Sequence, residues 1–488
     1  MRYSTIASLL AASASVSASP CKRNIPGGGA KNFIFVIPDG QSAASSTMAR
    51  TYLSFLDGTR TPEAPGLLDP LPLDSCPVGL VSTYSANNLV TDSAAAGTAF
   101  ACGVKTSNGA LGVNADSVPV GSVMEAAKLA GYLTGLVATS TITHATPAAF
   151  FSHVLDRDNF AAIAAQQVGM THPLNISVDV MLGGGSCYFR PQGQDSCRED
   201  DLDVVGYAEE QGYNVIYDRA SLPTLEKLPI LGLFSNDSDL AYEIDRQQQP
   251  EAEREPSLVE MSKVALETLT KASANKEKGY FVMIEASRID HASHAHDAVA
   301  HLHDVLEYQR TIDLVKKWID EHPDTVMISI ADHETGGITL PGGWDPRALE
   351  PATHSTEYLT EAFEDYEGDA PEEYLATEIL PAYGLTDIPA NVTAALAASE
   401  DFAQDLADLM NEEIGFEWST GGHSGVDSVL YAYGSGKVGE AMKVQLAGTW
   451  DNTEIPRFIE KVLGVDIDAV TAQYQGLGAE WLGEPRPE

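Results

Sequence analysis

The sequence predicts an α/β protein: a large, mostly parallel central sheet flanked by helices on both faces, with one inserted subdomain near the mouth of its site. Three observations carry that prediction. Short, continuously apolar runs of strand length, the pattern of strands buried on both faces, alternate with helix-length segments. Acidic residues and histidines collect just past the carboxyl ends of those runs, where open α/β sheets bind ligands. At 488 residues the chain is long enough for one large α/β domain with an insertion.

In chain order, residues 1–18 read as a secretory signal, since Arg2 is the only early charge, 6–14 is apolar and small, and Val16-Ser17-Ala18 offers a cleavage site. A secreted, extracellular protein is expected. Lys22-Arg23 is either a dibasic processing point or a pair of surface charges. The α/β domain is expected over 24–334 and 421–470. Residues 32–37 form a buried strand that stops at Pro38-Asp39-Gly40, which puts Asp39 at the carboxyl end of a central strand. A second strand over 78–84 precedes a helix at Ser93. A helix follows at 123–129 and a strand at 132–139, and 140–157 holds a turn leading into a helix. Residues 178–182 form a strand ending in Gly183-Gly184-Gly185, 257–272 a helix, and 280–285 another buried strand. A histidine-rich helix is expected over 292–318, then a strand over 325–330 ending at Ala331-Asp332-His333-Glu334. From 335 to 420 the pattern loosens into Gly, Pro and acidic residues with short helices, which marks the inserted subdomain. A strand over 428–433 closes the series, 455–463 is a late helix, and 471–488 is a C-terminal tail.

The net charge of −41 argues against nucleic acid or an anionic membrane as partner, because either would be repelled. An anion-handling site in such a field needs concentrated positive charge from metal ions or arginine. Past the signal no apolar run is long enough to span a bilayer, and the C-terminus lacks the hydrophobic tail of a lipid-anchor signal, so no membrane anchor is expected. Asn175, Asn236 and Asn391 lie in sequons and fit glycosylation in a eukaryotic host. Cys187 and Cys197 bracket a short loop and are expected to form a disulfide; Cys102 reads as a buried free thiol, and the odd count leaves a Cys21–Cys76 pair open.

The site is organised around Thr91-Asp92-Ser93-Ala94-Ala95-Ala96-Gly97-Thr98-Ala99. Ser93 is placed at the first turn of a helix, where unpaired N–H groups and the helix dipole favour an anion such as phosphate. Asp-Ser before Ala is also an ordinary helix cap, so the rest of the chain has to decide. Asp39, Glu285 with Asp290, and Asp332 with His333 follow three different strands, and such groups at one sheet edge repel one another unless cations sit among them. Asp290 and His294 are one helical turn apart and can face a single ion, as zinc requires. Asp332 and His333 can share an ion only if the backbone turns between them. His423 sits among Gly421, Gly422 and Gly425, which let the backbone come close to a ligand. His296, His301, His303, His322 and His354 are read as exposed or hydrogen-bonded side chains.

With those residues in hand, the chain resembles the alkaline phosphatases from Phe33 to about Gly434. The resemblance rests on six motifs in order: the strand into Asp39-Gly40, Thr91-Asp92-Ser93-Ala94, Ala145-Thr146-Pro147-Ala148 with Arg157 downstream, Glu285 through His294, Ala331-Asp332-His333, and His423. It implies Ser93 as nucleophile and Arg157 as phosphate clamp. Asp290, His294 and His423 would hold one zinc, Asp39, Asp332 and His333 a second, and Asp39, Thr146 and Glu285 a magnesium. The resemblance also implies a crown-like character for the insertion, a homodimer, a phosphoserine intermediate, and small phosphate monoesters as substrates. A zinc at the serine oxygen favours the alkoxide, and the arginine fork matches two phosphate oxygens. Asp92 either orients that guanidinium or caps its helix. His144 and His291 stand where bacterial prototypes carry aspartate and lysine, as in animal-type enzymes, which bears on the third metal. A phosphodiesterase or sulfatase of the same superfamily and a non-catalytic metal-stabilised binding protein are the alternatives. The first would lack Arg157 here or need a formylglycine motif; the second would require neither Ser93 nor Arg157.

Overall fold

Ten strands pair into one sheet in the computed structural model, which describes residues 30–193 and 195–485. They are β1 (Asn32–Pro38), β2 (Pro77–Ser82), β3 (Leu133–Thr141), β4 (Val180–Gly184), β5 (Asn214–Ile216), β6 (Ile230–Leu233), β7 (Tyr280–Ala286), β8 (Thr325–Ser329), β9 (Ser428–Gly434) and β10 (Gly448–Asp451). The spatial order is β10-β2-β9-β8-β1-β7-β3-β4-β6-β5. Only β9 runs antiparallel to its neighbours, β2 and β8. The secretory-signal stretch, Lys22-Arg23 and Cys21 lie outside the described residues.

The continuous apolar runs reflect burial on both faces. Along β1, Ile34 and Val36 join one core with Val282 and Ile284, while Phe33, Phe35 and Ile37 join the other with Phe281 and Met283. Helices α3 (Leu258–Ser273) and α5 (Ala298–Glu321) cover the first face; α1 (Ser93–Cys102) and the helices Val123–Leu129 and Glu454–Leu463 cover the second. Phe35 meets Phe100 and Phe150 edge-on, with ring centroids 5.4 and 5.8 Å apart. Carboxyl ends of β1, β7 and β8 therefore open at one edge of a rigid platform.

Two expectations need correction. The histidine-rich stretch over 292–318 is two helices, α4 (Arg288–His294) and α5, because Asp297 accepts from the backbone N–H groups of Val299 and Ala300 and starts a new helix, with His296 at φ 53° in the turn. Strands β5, β6 and β10 were not expected; at three or four residues each near the sheet edges they carry too little pattern to read. Residues 335–420 contain helices Thr356–Glu364, Ala390–Ala397 and Phe402–Ile414, whose Leu359, Leu396, Leu406 and Met410 enter the same core as β1 and α5. That shared core fixes residues 335–420 to the sheet. A helix at Ile467–Tyr474 and a turn at Glu480–Leu482 structure what reads as tail.

Cys187 and Cys197 are bonded, while Cys76 and Cys102 are buried with no disulfide partner among the described residues. Reduction should remove about 3 kcal/mol of loop-closure stabilisation and lower Tm by about 3 °C, given an unfolding entropy of ~2.1 cal/mol/K per residue. Thermal scans with and without reductant check this. An unchanged Tm would mean that the loop is held by Arg198, which donates to the carbonyls of Ala161 and Tyr188 at 2.7 and 2.8 Å. Asn175, Asn236 and Asn391 are all exposed.

Candidate active site

Ser93 opens α1 with its side chain buried, and the small-residue run has a packing reason. A Cβ on Gly97 would stand 3.0 Å from the Cβ of Ala149, so α1 lies close against the short helix α2 (Ala145–Ala149) that carries Thr146. Asp92 serves both of its readings. Its Oδ1 accepts from the Ala95 N–H at 2.9 Å as a cap, and its Oδ2 accepts from the Gly109 N–H at 2.9 Å and from Arg157 Nη1 at 3.2 Å. Arg157 Nη2 donates to His144 Nε2 at 3.1 Å, so the guanidinium is held from two sides, by His144 and by the aspartate next to Ser93.

Behind Ser93 the acidic residues and histidines converge. Asp39 follows β1, Glu285 ends β7, Asp290 and His294 ride on α4, and Asp332 with His333 lie past β8, where the backbone does turn between them. The segment His423–Ser424 pairs antiparallel with Glu334–Thr335, and this brings the sequence-distant His423 to the same edge. Gly40 is required at φ 73°, because a Cβ there would stand 2.7 Å from Asp290 Cα. Three groups form whose ligand atoms lie within 4.8 Å of one another: Asp290 with His333 and His423, Asp39 with Asp332 and His333, and Asp39 with His144 and Glu285. His294 joins the first, its Nε2 3.3 Å from Asp290 Oδ2 and 3.1 Å from His423 Nε2. Thr146 contributes a buried hydroxyl.

The hydrogen bonds fit these groups to cations. His294 Nδ1 donates to the Gly421 carbonyl at 2.7 Å and His423 Nδ1 to the Thr91 carbonyl at 2.8 Å, which leaves the two Nε2 atoms facing each other. Thr335 gives its hydroxyl proton to Asp290 and accepts from His333 Nδ1 at 3.2 Å. His333 Nε2 is thereby turned toward Ser93 Oγ at 3.1 Å, Asp332 Oδ2 at 3.1 Å and Asp39 Oδ1 at 3.7 Å. Both Asp39 oxygens, Asp332 Oδ2, Glu285 Oε1, Thr146 Oγ1 and His144 Nδ1 are buried with no hydrogen-bond partner. Buried polar atoms are seldom left so, and a divalent cation in the second and third groups is what such a donor set satisfies, while the first offers the facing Nε2 atoms of His294 and His423 beside Asp290.

Electrostatics agree. Burial first, then the charges of Asp332, Asp290 and Glu285, push the Asp39 carboxyl well above its usual range. Burial likewise pushes Glu285 up to about 8 and Asp332 up to about 6. Its hydrogen bond to Asp290 raises His294 to about 9, while burial and the His423 charge hold His333 well down, so its Nε2 keeps a free lone pair. Protons fill this pocket when cations do not.

Three contributors were not foreseen. Thr335 orients Asp290 and His333, and its place directly after Asp332-His333-Glu334 was the available signal. Arg288, buried over the Tyr242 ring at 3.7 Å, donates to His291 Nδ1 at 3.0 Å and to Glu357 of the insertion at 2.6 Å. Asp239, in the loop beyond β6, sits 3.3 Å from His291 Nδ1 and accepts from the Thr141 N–H at 2.7 Å. Nothing local in sequence marks it. The His291 ring stands edge-on to His144, centroids 5.4 Å apart, so this pair borders the Asp39–Glu285 group together.

A hydroxyl at a helix start beside an arginine fork and carboxylate–histidine groups, on the carboxyl edge of a doubly wound sheet, defines a metal-dependent phosphate-ester hydrolase. The alkaline phosphatase family model matches residues 30–465, and the chain belongs to that family. It is 39% identical over 462 residues to the alkaline phosphatase of Schizosaccharomyces pombe and 38% identical over 480 residues to the repressible alkaline phosphatase of Saccharomyces cerevisiae; each alignment covers 90% of this chain and 82% of the yeast protein. The crystal structure of Thermus thermophilus alkaline phosphatase superposes with a TM-score of 0.75 at 31% identity, covering 91% of this chain and 95% of that one. The protein is thus a phosphomonoesterase enzyme of a metal-dependent family, on a large, mostly parallel sheet.

Proposed function

We propose that this is a secreted phosphomonoesterase that works as a homodimer through a phosphoserine on Ser93, with two zinc ions and one magnesium ion. The observation that carries the mechanism is the placement of Ser93 Oγ 3.1 Å from His333 Nε2, within the Asp39–Asp332–His333 group, while Arg157 is held from two sides by His144 and by the aspartate next to Ser93. Bound at Asp39, Asp332 and His333, at Asp290, His294 and His423, and at Asp39, Thr146 and Glu285, divalent ions supply Lewis-acid charge that favours the serine alkoxide and the departing oxygen. Arg157 holds two nonbridging phosphate oxygens and aligns phosphorus with Ser93 Oγ. Ser93 attacks, the ester oxygen leaves on the opposite face, and water then releases phosphate from the serine. Recognition ends at the phosphate, so a wide range of monoesters is expected. The sequons at Asn175, Asn236 and Asn391 would carry glycans on the exported protein.

The test compares p-nitrophenyl phosphate with its diester. The diester lacks one charged oxygen for Arg157 and should turn over about 10–100-fold more slowly, with inorganic phosphate inhibiting competitively. Equal rates on both esters would contradict a monoesterase site.

A further inference from the structure

Away from the metal groups, Glu125, His153, His172 and Tyr474 meet in a buried knot at the root of the loop that carries Arg157. Glu125 Oε1 accepts from His153 Nε2 and His172 Nε2, each at 3.0 Å, and from the Tyr474 hydroxyl; its Oε2 accepts from the Ser122 N–H at 2.7 Å. The three ligand-type side chains lie close enough to hold a metal, but the hydrogen bonds exclude it. The Leu174 N–H donates to His172 Nδ1 at 3.2 Å, so the His172 proton sits on Nε2 and no lone pair faces Glu125. His153 Nδ1 donates to the Gly112 carbonyl at 2.7 Å. Burial alone would raise Glu125, yet the His153 charge and the hydrogen bonds of both histidines hold it below the usual carboxylate range. The knot is a fully engaged, hydrogen-bonded tether.

It joins two parts of the chain. On one side is the C-terminal segment: Tyr474 ends the helix Ile467–Tyr474, Trp481 packs against Tyr474 and stands edge-on to His153 at 5.6 Å, and the Leu482 carbonyl accepts from the Leu155 N–H at 3.2 Å. On the other side the chain runs from His153 directly to Arg157. Val154 pairs with Leu111 in both directions, at 2.9 and 3.0 Å, and the Arg157 N–H donates to the Gly109 carbonyl at 2.7 Å. Gly109 in turn shares Asp92 Oδ2 with the Arg157 guanidinium. The backbone that presents Arg157 is thus fixed at one end by the C-terminal segment and at the other by the aspartate beside the nucleophile.

We propose that Tyr474 and His153 are positioning residues for Arg157, and that the C-terminal segment sets phosphate affinity by holding residues 153–157 in place. The inference rests on Arg157 being the phosphate clamp. The competitive inhibition constant of inorganic phosphate is the readout, measured on the metal-loaded enzyme. Tyr474→Phe keeps the ring and deletes one hydroxyl, and should raise that constant about fivefold, with KM for p-nitrophenyl phosphate rising in step and kcat changing less. Tyr213→Phe is the control: it deletes another buried hydroxyl, whose bond to the Val178 carbonyl at 2.5 Å involves no part of the C-terminal segment. It should lower Tm comparably and leave phosphate inhibition unmoved. In an Arg157→Ala background, Tyr474→Phe should add nothing. Trp481→Leu reads out the same contact if Tyr474→Phe fails to fold. Wild-type phosphate affinity in Tyr474→Phe, with a Tm loss matching the control, would overturn the proposal. If Arg157→Ala itself leaves phosphate inhibition unchanged, the clamp assignment fails instead, and the two failures are told apart.

Discussion

Replacing Ser93 with alanine should abolish turnover of phosphate monoesters, by on the order of 10⁴-fold or more, while the protein keeps its fold and its full metal content. The large effect follows from chemistry: Ser93 Oγ, 3.1 Å from His333 Nε2, is the hydroxyl assigned to take the phosphoryl group, and alanine removes it. The unchanged fold follows from local structure. Alanine is a good helix former at the first position of α1, and Asp92 still caps that helix through the Ala95 N–H. Metal content should hold because the carboxylates and histidines of the proposed cation groups come from other elements. Turnover assays beside elemental analysis check both halves. Retained turnover would reject Ser93 as nucleophile; lost metal would show that it serves as a structural ligand.

Exhaustive chelation is the second large effect. With Asp39, Asp332, Glu285 and Asp290 buried together, cation removal leaves carboxylates that must take up protons, and it takes away several kcal/mol of charge stabilisation at the reacting phosphate. Activity should fall on the order of 10³-fold or more. Zinc with magnesium should restore it. Because the cations bind the folded arrangement, chelation should also lower Tm. Equal activity after chelation, with metal shown to be gone, would remove the reason for the whole constellation.

Much of this site is legible in the sequence because it is built from strand ends. The runs before Asp39 and Glu285 are continuously apolar and the run before Asp332 is broken only by Ser329, so their strands are buried on both faces and their ends can be located; Asp290 and His294 follow from one helical turn. His423 is different. Its glycine neighbours single it out as a residue that can approach a ligand, but its arrival at this edge depends on the pairing of Glu334–Thr335 with His423–Ser424, a contact that no local pattern announces. Asp239 and Arg288 act through His291 from a loop and a helix start, and single charges in such places carry no periodic signal. The break at Asp297 was missed because a capping aspartate inside a long helical pattern looks like one more exposed acid until its partners, Val299 and Ala300, are seen. The C-terminal segment was read as tail because its role is carried by single side chains, Tyr474 and Trp481.

The central claim is that cations seated among these carboxylates and histidines make one serine reactive. Anomalous scattering across the zinc edge, on crystals of the active protein, tests it most directly. One strong zinc peak bounded by Asp290, His294 and His423 is expected, with a second bounded by Asp39, Asp332 and His333 beside Ser93. Fully active crystals with no anomalous peak at either place would contradict it.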